Sequence, residues 1–326
     1  MQKKLIALAV ASLASTGAFA AFDANIEFDN LYQNRTANGN AKGLSQSGRV
    51  ELNASGKVGA DMFVAGRASI LALRNGGVST DDMWFQLGNS AVDLKLGRFE
   101  AADLFPIPRD AYIPYANDGA VPAGAVFGGQ LYRGQVLRGR LGNNQFHGAL
   151  TFNAGNGLSA ELGVVESDKS VAGQKGIRPV VTYMAGPLML RAGFESFSDF
   201  QTSGNTKKAS GYGLVGAYDL GGITLRGNYA SAKLKYLDNR KSTSYALIVD
   251  TAMGLAAGYI GSEDSGGDNS AALGKFKTST LYAAYTMPLF DIKGASMTTA
   301  IATSDGGGSN NAEKINGVKV RFNYAF

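Results

Sequence analysis

The sequence predicts an all-β fold, a transmembrane antiparallel β-barrel of roughly sixteen strands. Three observations lead to it. Apolar and polar residues alternate with period two from the start of the mature chain to its last residue. The connections between these segments alternate between very short turns and longer polar loops. The polar side of each segment carries Asp, Glu, Arg and Lys, and no amphipathic helix of useful length is present to cover the apolar side.

The first twenty residues, MQKKLIALAVASLASTGAFA, are expected to lie outside the barrel. Lys3 and Lys4 precede an apolar run from Leu5 to Ala14, and the stretch ends on the small-x-small triplet Ala18-Phe19-Ala20. This is the pattern of a cleaved secretory signal, and the run falls short of the roughly 20 residues a spanning helix needs. Residues 1–20 are thus read as the signal and 21–326 as a single barrel domain working outside the cytoplasm. No later segment is long and apolar enough for a membrane helix.

Composition narrows the chemistry. Of 326 residues, 17% are charged, below the roughly 25% of soluble domains. Cysteine is absent, which excludes disulfides and thiolate metal sites, and the single histidine, His147, argues against zinc or haem centres. Without Lys3 and Lys4 the mature chain has 31 − 2 = 29 basic against 26 acidic residues, a formal +3. That balance is too mild for nucleic-acid binding.

The strand pattern is plain from the first segment. Phe22, Ala24, Ile26 and Phe28 alternate with Asp23, Asn25, Glu27 and Asp29; Val50, Leu52 and Ala54 alternate with Arg49, Glu51, Asn53 and Ser55. Val64, Ala68 and Ile70 flank Arg67 and Ser69, while Leu188, Leu190, Ala192 and Phe194 flank Arg191 and Glu195. Similar stretches surround Leu94, Leu225 and Leu281. At the C-terminus Val318, Val320, Phe322, Tyr324 and Phe326 oppose Lys319, Arg321 and Asn323. Short turns are expected at Val58-Gly59-Ala60, Gly88-Asn89-Ser90, Ala185-Gly186-Pro187 and Gly221-Gly222. Longer loops are expected at 35–45, 74–82, 200–208, 236–242, 264–275 and 304–312. Residues 130–153 read as one long irregular strand or as two around Gly142-Asn143-Asn144, and one keeps the strand number even.

The charges decide what surrounds the sheet. Burying Arg191, Glu195, Lys319 and Arg321 together in a dry core costs several kcal/mol per ion, so these groups are expected to face water. Closing the sheet gives the apolar side to lipid and the polar side to a wet lumen, and leaves no edge unpaired in the membrane. A barrel of about sixteen strands is wide enough for water and small solutes.

These features resemble the Gram-negative outer-membrane porins. The resemblance rests on the Ala18-Phe19-Ala20 ending, the run of alternating strands with short turns and long loops, and the final strand Val318–Phe326. It implies a channel for passive diffusion of small hydrophilic solutes and ions, set in outer-membrane lipid, with no enzymatic activity and no cofactor or metal. It also implies a homotrimer, and an assembly signal at Phe322, Tyr324 and Phe326 read by the barrel-assembly machinery.

The stretch LKLGRFEAADLFPIPRDAYIPYANDGAVPAGAVFGGQLYRG, 94–134, holds four of the seven prolines and follows the fifth strand. Its place resembles the porin loop that folds into the lumen, which implies a constriction loop at 99–129. By that resemblance Asp103, Asp110 and Asp118, with Glu100 at the root, are the acidic loop candidates. Arg49, Arg67, Arg98, Arg133, Arg138 and Arg140, with Lys319 and Arg321 in the lumen, are the basic wall that would oppose them in a transverse field. The Pro-Glu-Phe-Gly-Gly motif of many porins is missing; Val126-Phe127-Gly128-Gly129 only echoes it. Phe105, Tyr112, Tyr115, Phe127 and Tyr132 admit a second reading, in which Tyr112 and Tyr115 stack against sugar rings as in sugar-facilitating porins.

Other features carry less. Gly306-Gly307-Gly308 and Gly266-Gly267 lack the lysine and helix of a phosphate-binding loop, and Glu263, Asp264 and Asp268 do not have EF-hand spacing. Trp84 is expected at the outer aromatic girdle and His147 in the lumen or at the interface. A barrel enzyme is the remaining alternative class, and one histidine assembles no convincing Ser-His-Asp set.

Overall fold

The computed structural model describes residues 20–36, 42–108, 111–116, 138–140, 145–167, 173–200, 206–235, 240–265, 275–307 and 313–326. Among them sixteen strands follow one another: β1 (Ala20–Arg35), β2 (Lys42–Val58), β3 (Phe63–Leu73), β4 (Val78–Gly88), β5 (Val92–Arg98), β6 (Gln145–Gly155), β7 (Leu158–Ser167) and β8 (Gly173–Ala185). The second half comprises β9 (Leu188–Phe200), β10 (Thr206–Asp219), β11 (Ile223–Leu234), β12 (Arg240–Thr251), β13 (Leu255–Ser265), β14 (Phe276–Pro288), β15 (Ala295–Gly307) and β16 (Glu313–Ala325). Each strand pairs antiparallel with its chain neighbours, and β1 pairs with β16 to close the barrel.

Pleating turns the alternation into two surfaces. Phe22, Ile26, Leu52, Val64, Ile70, Phe85, Leu190, Phe194, Leu281, Val318 and Phe322 stand exposed on the outer face. Their odd-numbered or even-numbered neighbours in each strand point inward. Among the described residues of 130–153 there is one strand, β6, shorter than expected, and Gly139 before it forms an isolated bridge with Glu100. The expected loop 74–82 shrinks to 74–77, because β4 already pairs from Val78.

The short turns follow from local geometry. Asn156 and Gly157 join β6 to β7, both with positive φ (50° and 79°), as a type I′ hairpin turn requires. A Cβ at Gly157 would lie 1.9 Å from the Met184 carbonyl oxygen, so the residue must be glycine.

The interior is not uniformly wet. From β10 to β15 the inward positions include Ala209, Ala230, Ala232, Ala246, Ile248, Ile260, Tyr282, Ala284 and Ala300, which pack with Phe105 and Tyr112 in one apolar cluster. Charges concentrate on β1, β2, β3 and β16. Two groups expected to face water are covered instead. Glu195 is 1% exposed beside Arg178, and Lys319 is buried where it meets the Ala111 carbonyl.

Candidate functional site

The connection between β5 and β6 makes the site. Phe99 continues the inward alternation of β5 and stacks on His147 of β6, centroids 4.1 Å apart, so the histidine is an interior packing residue. The chain then leaves the wall: Ala101 N–H donates to the Arg138 carbonyl (2.5 Å) and Arg140 N–H to that of Phe99 (2.8 Å), which pairs the outgoing and returning ends of the connection. Ala102 is gripped from both sides, its N–H donating to Glu161 of β7 (3.0 Å) and its carbonyl accepting from Arg178 of β8. Arg191 of β9 donates to the Asp103 carbonyl (3.0 Å).

Leu104, fully buried, then enters a notch in the wall. Ideal Cβ atoms on Gly193 of β9 and Gly213 of β10 would stand 2.7 Å from its side chain, so the two glycines create the space it fills. Beyond it, Asn228 of β11 donates to the Pro106 carbonyl (2.6 Å), Lys319 of β16 to that of Ala111 (3.0 Å), and Thr280 of β14 to that of Pro114 (2.7 Å). Tyr112 donates to Gln33 of β1 (2.8 Å), and Ala116 N–H donates to Ser304 of β15 (2.9 Å). All these partners are inward-facing, so residues 99–108 and 111–116 lie inside the barrel and cross it.

What they leave open is a cavity of about 890 Å³ on the side of β1, β2 and β16. Its wall is lined by Asn25, Glu27, Asp29, Arg49, Glu51, Lys319 and Arg321, and its other side by Glu100, Asp103, Phe105, Ile107, Arg138 and Arg140. Acid and base are interleaved. Arg49 donates to Glu27 (2.9 and 3.1 Å), Arg321 to Asp29 (2.7 and 2.8 Å), and Arg67 to Glu51 (3.2 Å). Arg138 meets Glu100 and Asp103 at 3.0 and 3.1 Å, and Arg140 meets Asp81, Asp82 and Glu100 at 3.0 to 3.3 Å. Burial pulls the Arg140 pKa down, but the hydrogen bond to Asp82 and the charges of Glu100 and Asp81 outweigh it and hold the pKa up. Burial pushes the Tyr112 hydroxyl up to about 12 against the pull of Arg35, so it stays a neutral donor.

The expected residues divide accordingly. Glu100, Asp103, Arg49, Arg138, Arg140, Lys319 and Arg321 come together around the cavity. Arg138 and Arg140 belong to the returning end of the connection and not to the strand wall. Arg67 faces inward and joins the network through Glu51 and Asp82. Arg98 shares the strand face of Leu94 and Leu96, and its guanidinium donates to the backbone carbonyls of Thr80 and Asp81 of β4 (3.1 and 2.9 Å) and to that of Arg140 at the returning end of the connection. Tyr112 is 8% exposed with its ring against Gly317, and Tyr115 packs on the apolar cluster, so neither presents an open ring face to the cavity. Asp110, Asp118 and Arg133, with Phe127 and Tyr132, lie outside the described residues.

Trp84 also departs from expectation. Its neighbours Met83 and Phe85 face outward, while its ring turns inward under Lys95 (4.4 Å to the centroid) and packs by Phe99 and Ala149. Phe322 and Tyr324 do stand on the outer face, with Phe326 stacked on Tyr324 at 5.3 Å. Sequence reasoning passed over Glu27, Asp29 and Glu51 as site residues, although the same alternation that places Arg49 and Arg321 inside places them there.

Comparison with known proteins agrees with this geometry. The sequence profile of a family described as porin-like glycoporin RafY matches residues 28–326. No curated protein matches the sequence significantly. Among solved structures, the trimer form of OmpT, an outer membrane protein of Vibrio cholerae, superposes with a TM-score of 0.67 at 14% identity, covering 94% of this chain and 99% of its own. The anion-selective porin of Comamonas acidovorans gives 0.66 at 17% identity, covering 95% and 100%. The outer membrane channel DcaP of Acinetobacter baumannii gives 0.63 at 12% identity, covering 96% and 98%. The profile spans almost the whole barrel, from β1 to the terminal Phe326, and with a closed ring of sixteen strands around a cavity lined by charged side chains it shows that the chain belongs to the porin-like glycoporin RafY family, outer-membrane β-barrel porins of Gram-negative bacteria.

Proposed function

We propose that this porin's passive diffusion of small hydrophilic solutes and ions is limited at the cavity between the 99–116 segment and the charged faces of β1, β2 and β16. The carrying observation is that one chain segment packs on the apolar half of the lumen and leaves a cavity on the charged side. Charged and amide groups there replace part of a solute's hydration shell, while the covered half offers no passage. The constriction is thus built by residues 99–108 and 111–116 within the wider stretch 99–129. Purified protein in planar bilayers is expected to give stable, voltage-tolerant single-channel steps; a protein that inserts without conductance would overturn the reading.

The family description, naming a glycoporin, favours a second reading in which oligosaccharides are the physiological solute. Covered Tyr112 and Tyr115 rings mean that sugar recognition would rest on the hydrogen-bonding groups of the cavity. In the same recordings, block of ion current by oligosaccharides at submillimolar concentration that survives Tyr112→Ala would support it, and absence of block would remove it.

We also propose that the protein assembles as a homotrimer packed through its barrel walls; the similar OmpT structure is described as a trimer form. Outer-membrane lipid contacts the rest of the outer face, and the barrel-assembly machinery reads Phe322, Tyr324 and Phe326. The first twenty residues act as the export signal.

A further inference from the structure

We propose that the constriction is charge-balanced, so that it favours neither cations nor anions and best admits solutes whose own charges sum to zero; this rests on the channel reading above. Among the described residues the cavity is lined by five carboxylates, Glu27, Asp29, Glu51, Glu100 and Asp103. It is lined by five cationic groups as well, Arg49, Arg138, Arg140, Lys319 and Arg321, and 5 − 5 = 0. His147 adds no charge to the lining, being buried against Phe99.

Parity alone would permit a strong transverse field if acids and bases stood on opposite sides. They do not. Carboxylates of β1 stand between cations of β2 and β16: Glu27 lies 2.9 Å from Arg49 and 3.5 Å from Arg321, and Asp29 lies 2.7 Å from Arg321. Across the cavity, Arg138 stands between Glu100 and Asp103 at 3.0 and 3.1 Å. Each side is therefore close to neutral by itself, and the field of such interleaved charges fades over a few ångströms, well inside the screening length of about 8 Å at physiological salt. An ion in the middle of the path meets donors and acceptors without a prevailing sign. A zwitterion, with its own opposite charges a few ångströms apart, matches the spacing of the lining.

The test is the reversal potential of wild-type channels under an about tenfold KCl gradient at low salt, where screening is weakest. The wild-type cation-to-anion permeability ratio is expected within about twofold of one, because the charged groups that line the cavity sum to zero. Arg321→Gln, which removes the two hydrogen bonds to Asp29 and leaves the lining one negative charge in excess, is expected to shift the ratio about two- to sixfold toward cations, as a unit charge about 8 Å from the path would. Asp29→Asn is expected to shift it by a similar factor toward anions, and the double variant to return it to the wild-type value. A wild-type ratio beyond about fivefold in either direction, or single variants that move together, would overturn the inference. If the variants fail to insert, the wild-type ratio decides alone. Equal liposome swelling rates for an organic anion and an organic cation of one size would support it, and unequal rates would overturn it. Channels that conduct yet discriminate by sign would sink only this inference, whereas the absence of conductance would sink the channel reading itself.

Discussion

Gly193 and Gly213 show how much of the site depends on atoms that are missing. Neither sits in a turn; both lie in mid-strand, where glycine weakens a sheet, and the reason is the Leu104 side chain pressed against them. Gly193→Val or Gly213→Val is expected to force Leu104 out of its notch at an overpacking cost of about 1–3 kcal/mol. The unfolding temperature of the detergent-solubilised barrel should fall and the open-channel current should become noisier. Leu104→Ala in the Gly193→Val background, where the clash is with the two Leu104 methyl groups, should recover part of the loss, and no recovery would show that the strain lies elsewhere. Such glycines are visible in the sequence as breaks in a strand pattern, but what they make room for is not, because the partner is nearly a hundred residues away. Trp84 fails for a related reason: the tendency of tryptophan to sit at membrane interfaces is outweighed by an inward register that gives its ring a cation, Lys95, to face.

At the scale of elements, the strands were legible and the connection was only partly so. Side chains alternate between hydrocarbon and lumen along the strands, apart from the bulges in the β3–β4 and β6–β7 pairings, and a slip of one residue would exchange the two faces. The two-residue turn Asn156-Gly157 is equally local. The 99–116 segment has no period, and its path is set by contacts with β1, β7, β8, β9, β11, β14, β15 and β16 that no local pattern encodes. Its prolines and aromatics marked it as functional, yet not which half of the lumen it would fill. Trimming 103–122 is expected to raise single-channel conductance about twofold or more by reopening that half to water. Unchanged conductance would show that the segment does not limit flow.

For the molecule as a whole, the apolar outer surface requires a lipid or protein neighbour everywhere along the band. A homotrimer satisfies part of that need, and unheated protein in mild detergent is expected to migrate and sediment as a trimer that heat converts to monomer. Monomeric behaviour at all concentrations would refute the assembly. Barrel closure, strand number and orientation of the charged faces could all be read from the sequence because a membrane imposes them on every strand alike. The division of the interior into an apolar half and a charged half could not, since Ala246, Ile248 and Ile260 read as ordinary strand residues until the segment that covers them is in place.

The pairing of β1 with β16 is where the two ends of the chain meet, from Asn25↔Ala325 to Arg35↔Ile315. It is fastened by more than its backbone ladder. Asp29 with Arg321 and Glu313 with Arg35 clamp it, and the inner segment touches both of its members, through Gln33 on one side and Lys319 on the other. The strut that narrows the opening thus doubles as a rivet across the seam that closes the ring, so loosening it would slacken the cylinder as well as widen its bore.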